Sequence, residues 1–242
     1  MLFCQGELIM SKIIGTLEPV WSCRPEVKQA CFELLSRHFQ GVTWKQFNTD
    51  FHEKQYVALL RKSDRIVGFS TMTILPIFLS SGHVMNIAFS GDTIVEFEDR
   101  NTTELGKSLA SFFREAISVH GDGNVWYVLI SKGWRTYKAM EFMFHCFAPH
   151  SHQKLSILER EVIVGFGKEK YPSRFNEKNL IIKALDGDQK LQPNSPDLKV
   201  PPSELGTFFI ERNPGFADGD ELVCVSRLSY DNFTERFKRC FR

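Results

Sequence analysis

Residues 66–91 contain no Asp, Glu, Lys or Arg, and this run restricts the fold more than any other feature. A segment of this length is long enough to cross a bilayer as an apolar helix. However, Pro76 and the Ser80-Ser81-Gly82 cluster interrupt it, and Thr71 and Thr73 alternate with apolar residues. Alternation around a central turn signal is typical of two strands. We therefore expect a buried pair of strands in a soluble, cytoplasmic protein without a membrane partner.

A helix and a further strand follow this pair and predict a β–α–β unit. The first strand covers residues 83–97 and contains Ser90-Gly91-Asp92, where Gly91 marks either a turn or a β-bulge. Val125–Ser131 is a continuous apolar run, which is typical of a parallel strand that is covered on both faces. The helix between them starts at Thr102 or Thr103, and its apolar face consists of Leu105, Leu109, Phe112, Phe113, Ala116 and Ile117.

The remaining elements complete a mixed sheet with helices around it. Before the β–α–β unit we predict a helix after Pro25, a helix over residues 43–52, and a hairpin of residues 55–62 and 65–75. After it we predict helices over 135–147 and 155–166, a closing hairpin of strands 205–211 and 221–228, and a terminal helix over 230–242. The fold class is therefore α/β (a mixed α+β sheet), with a mostly antiparallel sheet flanked by helices.

The same order suggests how the chain is divided. We assign residues 1–21 to an N-terminal extension and residues 22–242 to a single domain. An insertion at about residues 149–204 interrupts that domain, because its Pro-rich second half reads as an exposed connection.

Composition excludes several function classes. Thirty basic and 29 acidic residues give a formal net charge of +1, which provides no broad attraction for nucleic acid. The six cysteines show no CxxC spacing, so we expect no metal site, and reduced thiols fit the cytoplasm. The oligomeric state is left open, a homodimer included.

Residues 95–108 join the predicted strand to the predicted helix through a short polar loop. A helix N-terminus presents unpaired N–H groups and positive partial charge, both of which a phosphate needs. Gly106 would let the backbone approach such a ligand, and Arg100 or Lys107 would add a full charge. A capped helix whose Gly106 packs against a neighbouring strand explains the same residues. From this stretch alone both interpretations stay open.

The element order and this stretch resemble the GNAT-type acyl-CoA N-acyltransferases. In that family the fourth strand often ends in Val-x-Pro-x-x-Arg, and a loop of the form Arg/Gln-x-x-Gly-x-Gly/Ala begins the third helix. Val95 to Arg100 is similar to the strand end, with Phe97 in place of proline, and Thr103 to Ser108 is similar to the loop in spacing. Lys132 to Tyr137 is similar to a Gly-aromatic pair that precedes a tyrosine. The resemblance covers roughly residues 22–148 and 204–229.

The resemblance implies a site as well as a fold. Acetyl-CoA or another acyl-CoA would lie between the splayed fourth and fifth strands, where the amine of a small molecule attacks the thioester directly. Glu96 or Glu98 would be the base, and Tyr137 would protonate the departing thiolate. Backbone N–H groups near Ile94–Glu96 would stabilise the oxyanion. The CoA-binding residues implied are Ile94, Val95, Glu96, Arg100, Thr103, Leu105, Gly106, Lys107 and Ser108.

Two functions from different classes follow from the sequence. The first is an acyl-CoA-dependent N-acyltransferase that acts on a small amine. The second is a non-catalytic protein on the same scaffold, which binds an acyl-CoA or a protein partner. Turnover that requires an amine separates the two.

Overall fold

The structure is a computed structural model that describes residues 12–242. Its strands and α-helices alternate along most of the chain, and the C-terminal third is less regular. In chain order the elements are β1 (Ile13–Pro19), α1 (Pro25–His38), β2 (Phe39–Gln40), α2 (Trp44–His52), β3 (Tyr56–Lys62), β4 (Arg65–Phe78), β5 (Val84–Val95), α3 (Glu104–His120), β6 (Val125–Ser131), α4 (Trp134–Met143), α5 (Ile157–Lys170), β7 (Phe175–Asn176), β8 (Ile181–Ile182), β9 (Lys190–Leu191), α6 (Glu204–Arg212), β10 (Glu221–Leu228) and α7 (Glu235–Lys238).

Eight of these strands form one sheet in the order β1-β3-β4-β5-β6-β10-β8-β7. Neighbours run antiparallel except for β5 and β6, which are parallel and are joined by α3. The predicted class, a mixed and mostly antiparallel sheet flanked by helices, is therefore confirmed. The charge-free segment is β4, a turn and most of β5, as expected. Between residues 12 and 242, no helix has the length and apolarity of a membrane span.

Helices cover both faces of the sheet. The apolar residues of α3, α4, α6 and α7 pack on one face, and those of α1, α2 and α5 pack on the other. The strand β6 explains its own composition, because Tyr127 and Leu129 belong to the first core while Trp126 and Val128 belong to the second. Alternate side chains of a strand point to opposite faces, so a strand covered twice is apolar throughout.

β5 is one continuous strand with a bulge at the predicted position. Ser70 pairs with Thr93 and Met72 pairs with Ser90, so Gly91 and Asp92 together lie opposite the single residue Thr71. A Cβ atom on Gly91 would come within 2.6 Å of Thr71 Oγ1 and 2.9 Å of Lys54 Cε. Glycine is therefore required at this position, because nothing larger fits between the two neighbours. The bulge interpretation of Ser90-Gly91-Asp92 is confirmed and the turn interpretation is wrong.

Three predicted boundaries are wrong. Residues 13–19 of the supposed extension 1–21 form the edge strand β1, which pairs with β3; residues 1–11 lie outside the described residues. The predicted strand 205–211 is the helix α6, because Leu205 and Phe209 recur at helical spacing against the core and Ser203 caps the first turn by accepting from Gly206 N. The predicted terminal helix shortens to α7 between two single 3-10 turns.

The insertion is part of the folded unit. Its helix α5 is capped by Ser156 and Glu159 in a capping box, and Val162, Ile163 and Phe166 complete the core beneath β5 and β6. Its short strands β7 and β8 extend the sheet beyond β10. A later part of it, residues 189–198, runs from the end of α1 to the start of α4; we call it the crossing segment.

Candidate functional site

The parallel strands β5 and β6 separate at their carboxyl ends. Their pairing begins at Asn86 and Val125 and stops at Ser90 and Leu129. Both strands continue, β5 to Val95 and β6 to Ser131. The separation starts at the bulge of β5, so the extra residue and the splaying coincide. The result is a cleft of the kind that the resemblance implies.

One edge of β5 is exposed to this cleft. Glu96 N donates to Val67 O at 2.8 Å, so the N–H of Glu96 points towards β4. Successive residues of a strand point their N–H and C=O groups to alternate sides. The N–H of Ile94 therefore also faces β4, whereas those of Thr93 and Val95 face the cleft. Of the three residues expected at the oxyanion, only Val95 has the required backbone direction.

A cavity of about 320 Å³ opens at the cleft on the face covered by α2 and α5. The bulge forms its floor with Gly91, Asp92 and Thr93, and the end of β6 adds Ile130 and Lys132. Asp50, at the end of α2, and Thr136, in the first turn of α4, lie at its walls. Elements that are distant in sequence therefore meet around the point where the two strands part.

Asp92 is the carboxylate at the floor of this cavity. Ile94 belongs to the core beneath α1 and α2, so Asp92, two residues earlier, points to the same face. Within the described part of the chain its side chain has neither a hydrogen-bond donor nor an ion-pair partner. Burial raises its pKa from 3.8 to about 6; Asp50 raises it further, Lys132 and Lys54 lower it, and Glu221 raises it. Such a carboxyl group can accept a proton near neutral pH.

Most other charges that line the cavity are paired with each other. Glu53 binds Lys170 at 3.3 Å, Arg174 binds Asp188 at 2.5 Å and Lys132 binds Glu221 at 3.4 Å. Lys54 donates to the backbone carbonyl of Asp50 at 3.0 Å, and its ammonium lies 5.7 Å from the ring centre of Phe89. No group of three His, Cys, Asp or Glu residues in the described chain is arranged as a metal site.

The two glutamates expected as bases lie elsewhere. The carboxylate of Glu96 accepts from Arg37 NH2 at 2.7 Å and lies 3.1 Å from His38 Nε2. Burial acts to raise the pKa of Glu96, but these two partners hold it below its usual range. Glu98 is exposed in the 3-10 turn after β5. Neither side chain lines the cavity, so neither is brought together with Asp92.

Tyr137, the expected proton donor, is buried in an aromatic cluster. Its hydroxyl donates to Pro149 O at 2.9 Å, and its ring stacks on Phe209 with the centres 5.5 Å apart. Burial raises its pKa well above the ordinary value for tyrosine. Tyr127 is also buried and donates to Ser90 Oγ at 2.9 Å. Neither hydroxyl lines the cavity; Thr136 and Lys132 are the groups of this region that do.

The residues expected at the phosphate loop form the first turn of α3. Thr103 is the N-cap residue without a side-chain cap, and Thr102 Oγ1 instead accepts from Glu104 N at 3.2 Å. Lys107 donates to Glu104 at 2.6 Å, and Ser108 Oγ donates to Glu104 O at 3.1 Å. Leu105 packs against the core. A Cβ atom on Gly106 would lie 3.0 Å from the sulfur of Cys240, so the C-terminal segment approaches this glycine closely.

Arg100 faces the crossing segment. Its Nε donates to Val95 O at 3.2 Å, and its two terminal nitrogens donate to the two oxygens of Asp197 at 2.8 Å each. Arg135, in the first turn of α4, donates to the same carboxylate at 2.6 Å. Upstream, Gln192 N donates to His38 O and Leu191 approaches Gly133. The crossing segment thus bridges the two sides of the cleft, with Asp197 between two arginines.

Four residues that shape this region did not emerge as site residues from the sequence: Asp92, Lys132, Arg135 and Asp197. For Asp92 a signal existed, since an acidic residue at a bulge of an apolar strand is costly to bury. Asp197 gives no such signal, because it meets Arg100 across 97 residues of sequence. Only the path of the insertion brings them together.

No family model matches the chain, and no curated protein matches its sequence. Among solved structures it is similar to a conserved protein from Enterococcus faecalis V583, a probable N-acyltransferase, with a TM-score of 0.42 and 11% identity over 55% of this chain and 33% of that chain. It is also similar to a predicted acetyltransferase with acetyl-CoA from Clostridium acetobutylicum, with a TM-score of 0.41 and 12% identity over 61% of this chain and 98% of that chain.

A third similar structure is the GNAT family N-acetyltransferase YhbS from Escherichia coli in complex with CoA, with a TM-score of 0.37 and 11% identity over 50% of this chain and 64% of that chain. The chain therefore spans less than two thirds of the first and third of these proteins. All three carry the type of fold that the sequence resembles. At these TM-scores and identities, what the chain does has to be argued from its own geometry.

Proposed function

We propose that the protein is an acyl-CoA N-acyltransferase, which transfers an acetyl or longer acyl group to the amino group of a small molecule. One observation carries the proposal: β5 and β6 part at a bulge, and the carboxylate of Asp92 lies there without a partner in residues 12–242. The cleft supplies unpaired backbone groups for an extended donor. The cavity beside it supplies a base and space for an acceptor.

The acyl donor is proposed to lie between the two parted strands. The arm of CoA carries amide groups, which can pair with the cleft-facing backbone of Thr93 and Val95 in the manner of an added strand. Its diphosphate needs cations, and guanidinium groups bind phosphate oxygens in a forked geometry. Arg100 and Arg135 fit this need, since both already bind one anionic group. The diphosphate would replace Asp197 as their partner.

The reaction is proposed as a direct transfer. A neutral amine in the cavity attacks the thioester carbonyl, so that a C–N bond forms and the carbonyl electrons move onto oxygen. The N–H groups of Thr93 and Val95 are positioned to stabilise this oxyanion. Asp92 takes the proton that the amine nitrogen loses. Collapse of the intermediate breaks the C–S bond and releases the CoA thiolate.

The thiolate must then be neutralised. Lys132 ends the β6 side of the cleft, and its charge lowers the pKa of Asp92, so the ammonium lies within electrostatic reach of the reacting groups. We assign it the role of stabilising and protonating the thiolate, in place of Tyr137. Glu96, fixed by Arg37 and His38, then orients the end of β5 rather than moving a proton.

The proposal is tested with the purified chain, acetyl-CoA and a panel of primary amines. We expect CoA to raise the melting temperature saturably, and mass spectrometry to show acetylated amine in an amount equal to the free CoA released. Asp92→Asn should retain the thermal shift and lose the product. Binding of CoA without product for any amine would instead support the non-catalytic alternative, and no binding at all would contradict both.

A further inference from the structure

The acceptor cavity has an unbalanced charge. Five carboxylates and four cationic side chains line it: Asp50, Glu53, Asp92, Asp188 and Glu221 against Lys54, Lys132, Lys170 and Arg174. Three of the carboxylates are paired with Lys132, Lys170 and Arg174. The side chains of Asp50 and Asp92 and the ammonium of Lys54 remain outside these pairs.

These three groups differ in depth. Lys54 is buried, is held by the carbonyl of Asp50 and lies beside Phe89, and its charge lowers the pKa of Asp92 at the floor. Asp50 is exposed at the end of α2, where the cavity opens. Its negative charge raises the pKa of Asp92, so the two carboxylates sense each other across the cavity. The floor is therefore partly compensated and the mouth is not.

From this distribution we infer that the acceptor is a primary amine with a second, positively charged group, which Asp50 binds at the mouth while the reacting amine faces Asp92. The inference rests on the proposed function and names its substrate class. The reacting amine must be neutral when it attacks, so it removes no negative charge from the cavity. A distal ammonium group supplies the missing positive charge, and an acceptor with a distal carboxylate meets repulsion from Asp50.

Three acceptors of matched length test this inference: 1,4-diaminobutane, 1-aminobutane and 4-aminobutanoate. We expect kcat/KM to fall in that order by about tenfold at each step, which is the size of a single charge contact at a partly exposed site. The preference should weaken as ionic strength rises, because salt screens charges at the mouth.

Substitutions at the mouth identify the residue. Asp50→Asn should bring the values for 1,4-diaminobutane and 1-aminobutane within about twofold, and Asp50→Lys should make 4-aminobutanoate the better of the two charged acceptors. Asp64→Asn, in the exposed β3–β4 turn, changes the net charge equally outside the cavity and should leave the order unchanged.

The outcomes separate the two proposals. Acyl transfer to all three acceptors with equal kcat/KM, or an order that Asp50→Asn does not alter, would overturn this inference and leave the acyltransferase function intact. Failure to acylate any amine while CoA still binds would overturn the proposed function itself. A ratio that Asp64→Asn changes as much as Asp50→Asn does would also overturn the inference, since it would reflect net charge alone.

Discussion

Arg100 and Asp197 form a forked ion pair, in which both terminal nitrogens of the guanidinium donate to the carboxylate at 2.8 Å. The two residues belong to the loop after β5 and to the insertion, and Arg135 of α4 joins the same carboxylate at 2.6 Å. The carboxylate is mostly buried, with 11% of its side chain exposed. A carboxylate with two arginines occupies the chemistry of a bound phosphate, so the pair links the insertion to donor binding.

Asp197→Asn should tighten CoA binding while it weakens the fold. The amide removes the anion that competes for both arginines, so we expect the Kd for CoA to fall by about fivefold to tenfold. The free energy of unfolding should fall by about 1–3 kcal/mol, because two guanidinium groups lose a charged partner. Calorimetric titration and urea unfolding measure the two effects.

Arg100→Ala provides the opposite arm of that experiment. It should weaken CoA binding by about tenfold or more, and Lys107→Ala should have a smaller effect because Lys107 is fully exposed and bound to Glu104. If Asp197→Asn and Arg100→Ala both weakened CoA binding equally, Asp197 would be a support for the site and not a competitor.

Asp92→Asn should remove the acidic limb of the pH profile. In the native protein kcat/KM should rise with pH through about 6, the pKa of Asp92, because the ionised carboxylate is the active form. The variant should retain CoA affinity and lose about 10²- to 10⁴-fold in kcat. Steady-state rates between pH 5 and 8, at saturating acetyl-CoA, test this point. An unchanged limb in Asp92→Asn would assign the ionisation to another group.

The same substitution should stabilise the protein at neutral pH. The pKa of Asp92 is raised in the folded chain from 3.8 to about 6, so its contribution to stability is fully present below pH 4 and is lost as the pH rises through 6. Asparagine stays neutral throughout. Asp92→Asn should therefore be more stable than the native protein above pH 6, by up to about 3 kcal/mol, and equally stable near pH 4. Urea unfolding at the two pH values measures the difference.

Gly91→Ala should disturb the bulge. The new methyl group would lie 2.6 Å from Thr71 Oγ1, so we expect a loss of about 1–3 kcal/mol in unfolding free energy together with reduced activity. Thr71→Ala removes the clashing hydroxyl and should restore part of the stability in the double variant. A double-mutant cycle with additive effects would show that the two residues do not interact.

Tyr137→Phe separates the two candidates for the proton donor. The variant leaves Pro149 O without its donor in the described chain, so stability should fall by about 1 kcal/mol while kcat stays within twofold. Lys132→Met should lower kcat instead. A large loss of kcat in Tyr137→Phe, at unchanged stability, would return the role to the tyrosine.

The sequence predicted those parts of the fold in which a local pattern reports burial. The apolar run of β6, the helical face of α3 and the glycine of the bulge each carry their own signal. The pattern failed at Leu205 and Phe209, where a short apolar segment fits a strand or a helix equally well. It also missed β1, whose residues are half-buried at the sheet edge and therefore show no clear alternation.

The site was harder to predict because its residues are defined by their neighbours. Glu96 and Asp92 lie four residues apart on one strand, yet the first is neutralised by Arg37 and His38 while the second faces a cavity. Nothing in the strand itself distinguishes them. The partners come from α1 and from the insertion, and only the folded chain brings those partners to β5.

The most direct test of the account is the product formed from acetyl-CoA and 1,4-diaminobutane. Mass spectrometry should find monoacetylated diamine, in an amount equal to the CoA released, with the native chain and only at background level with Asp92→Asn. Release of CoA without acetylated amine, or equal product from both proteins, would contradict acyl transfer at the parted strands of β5 and β6.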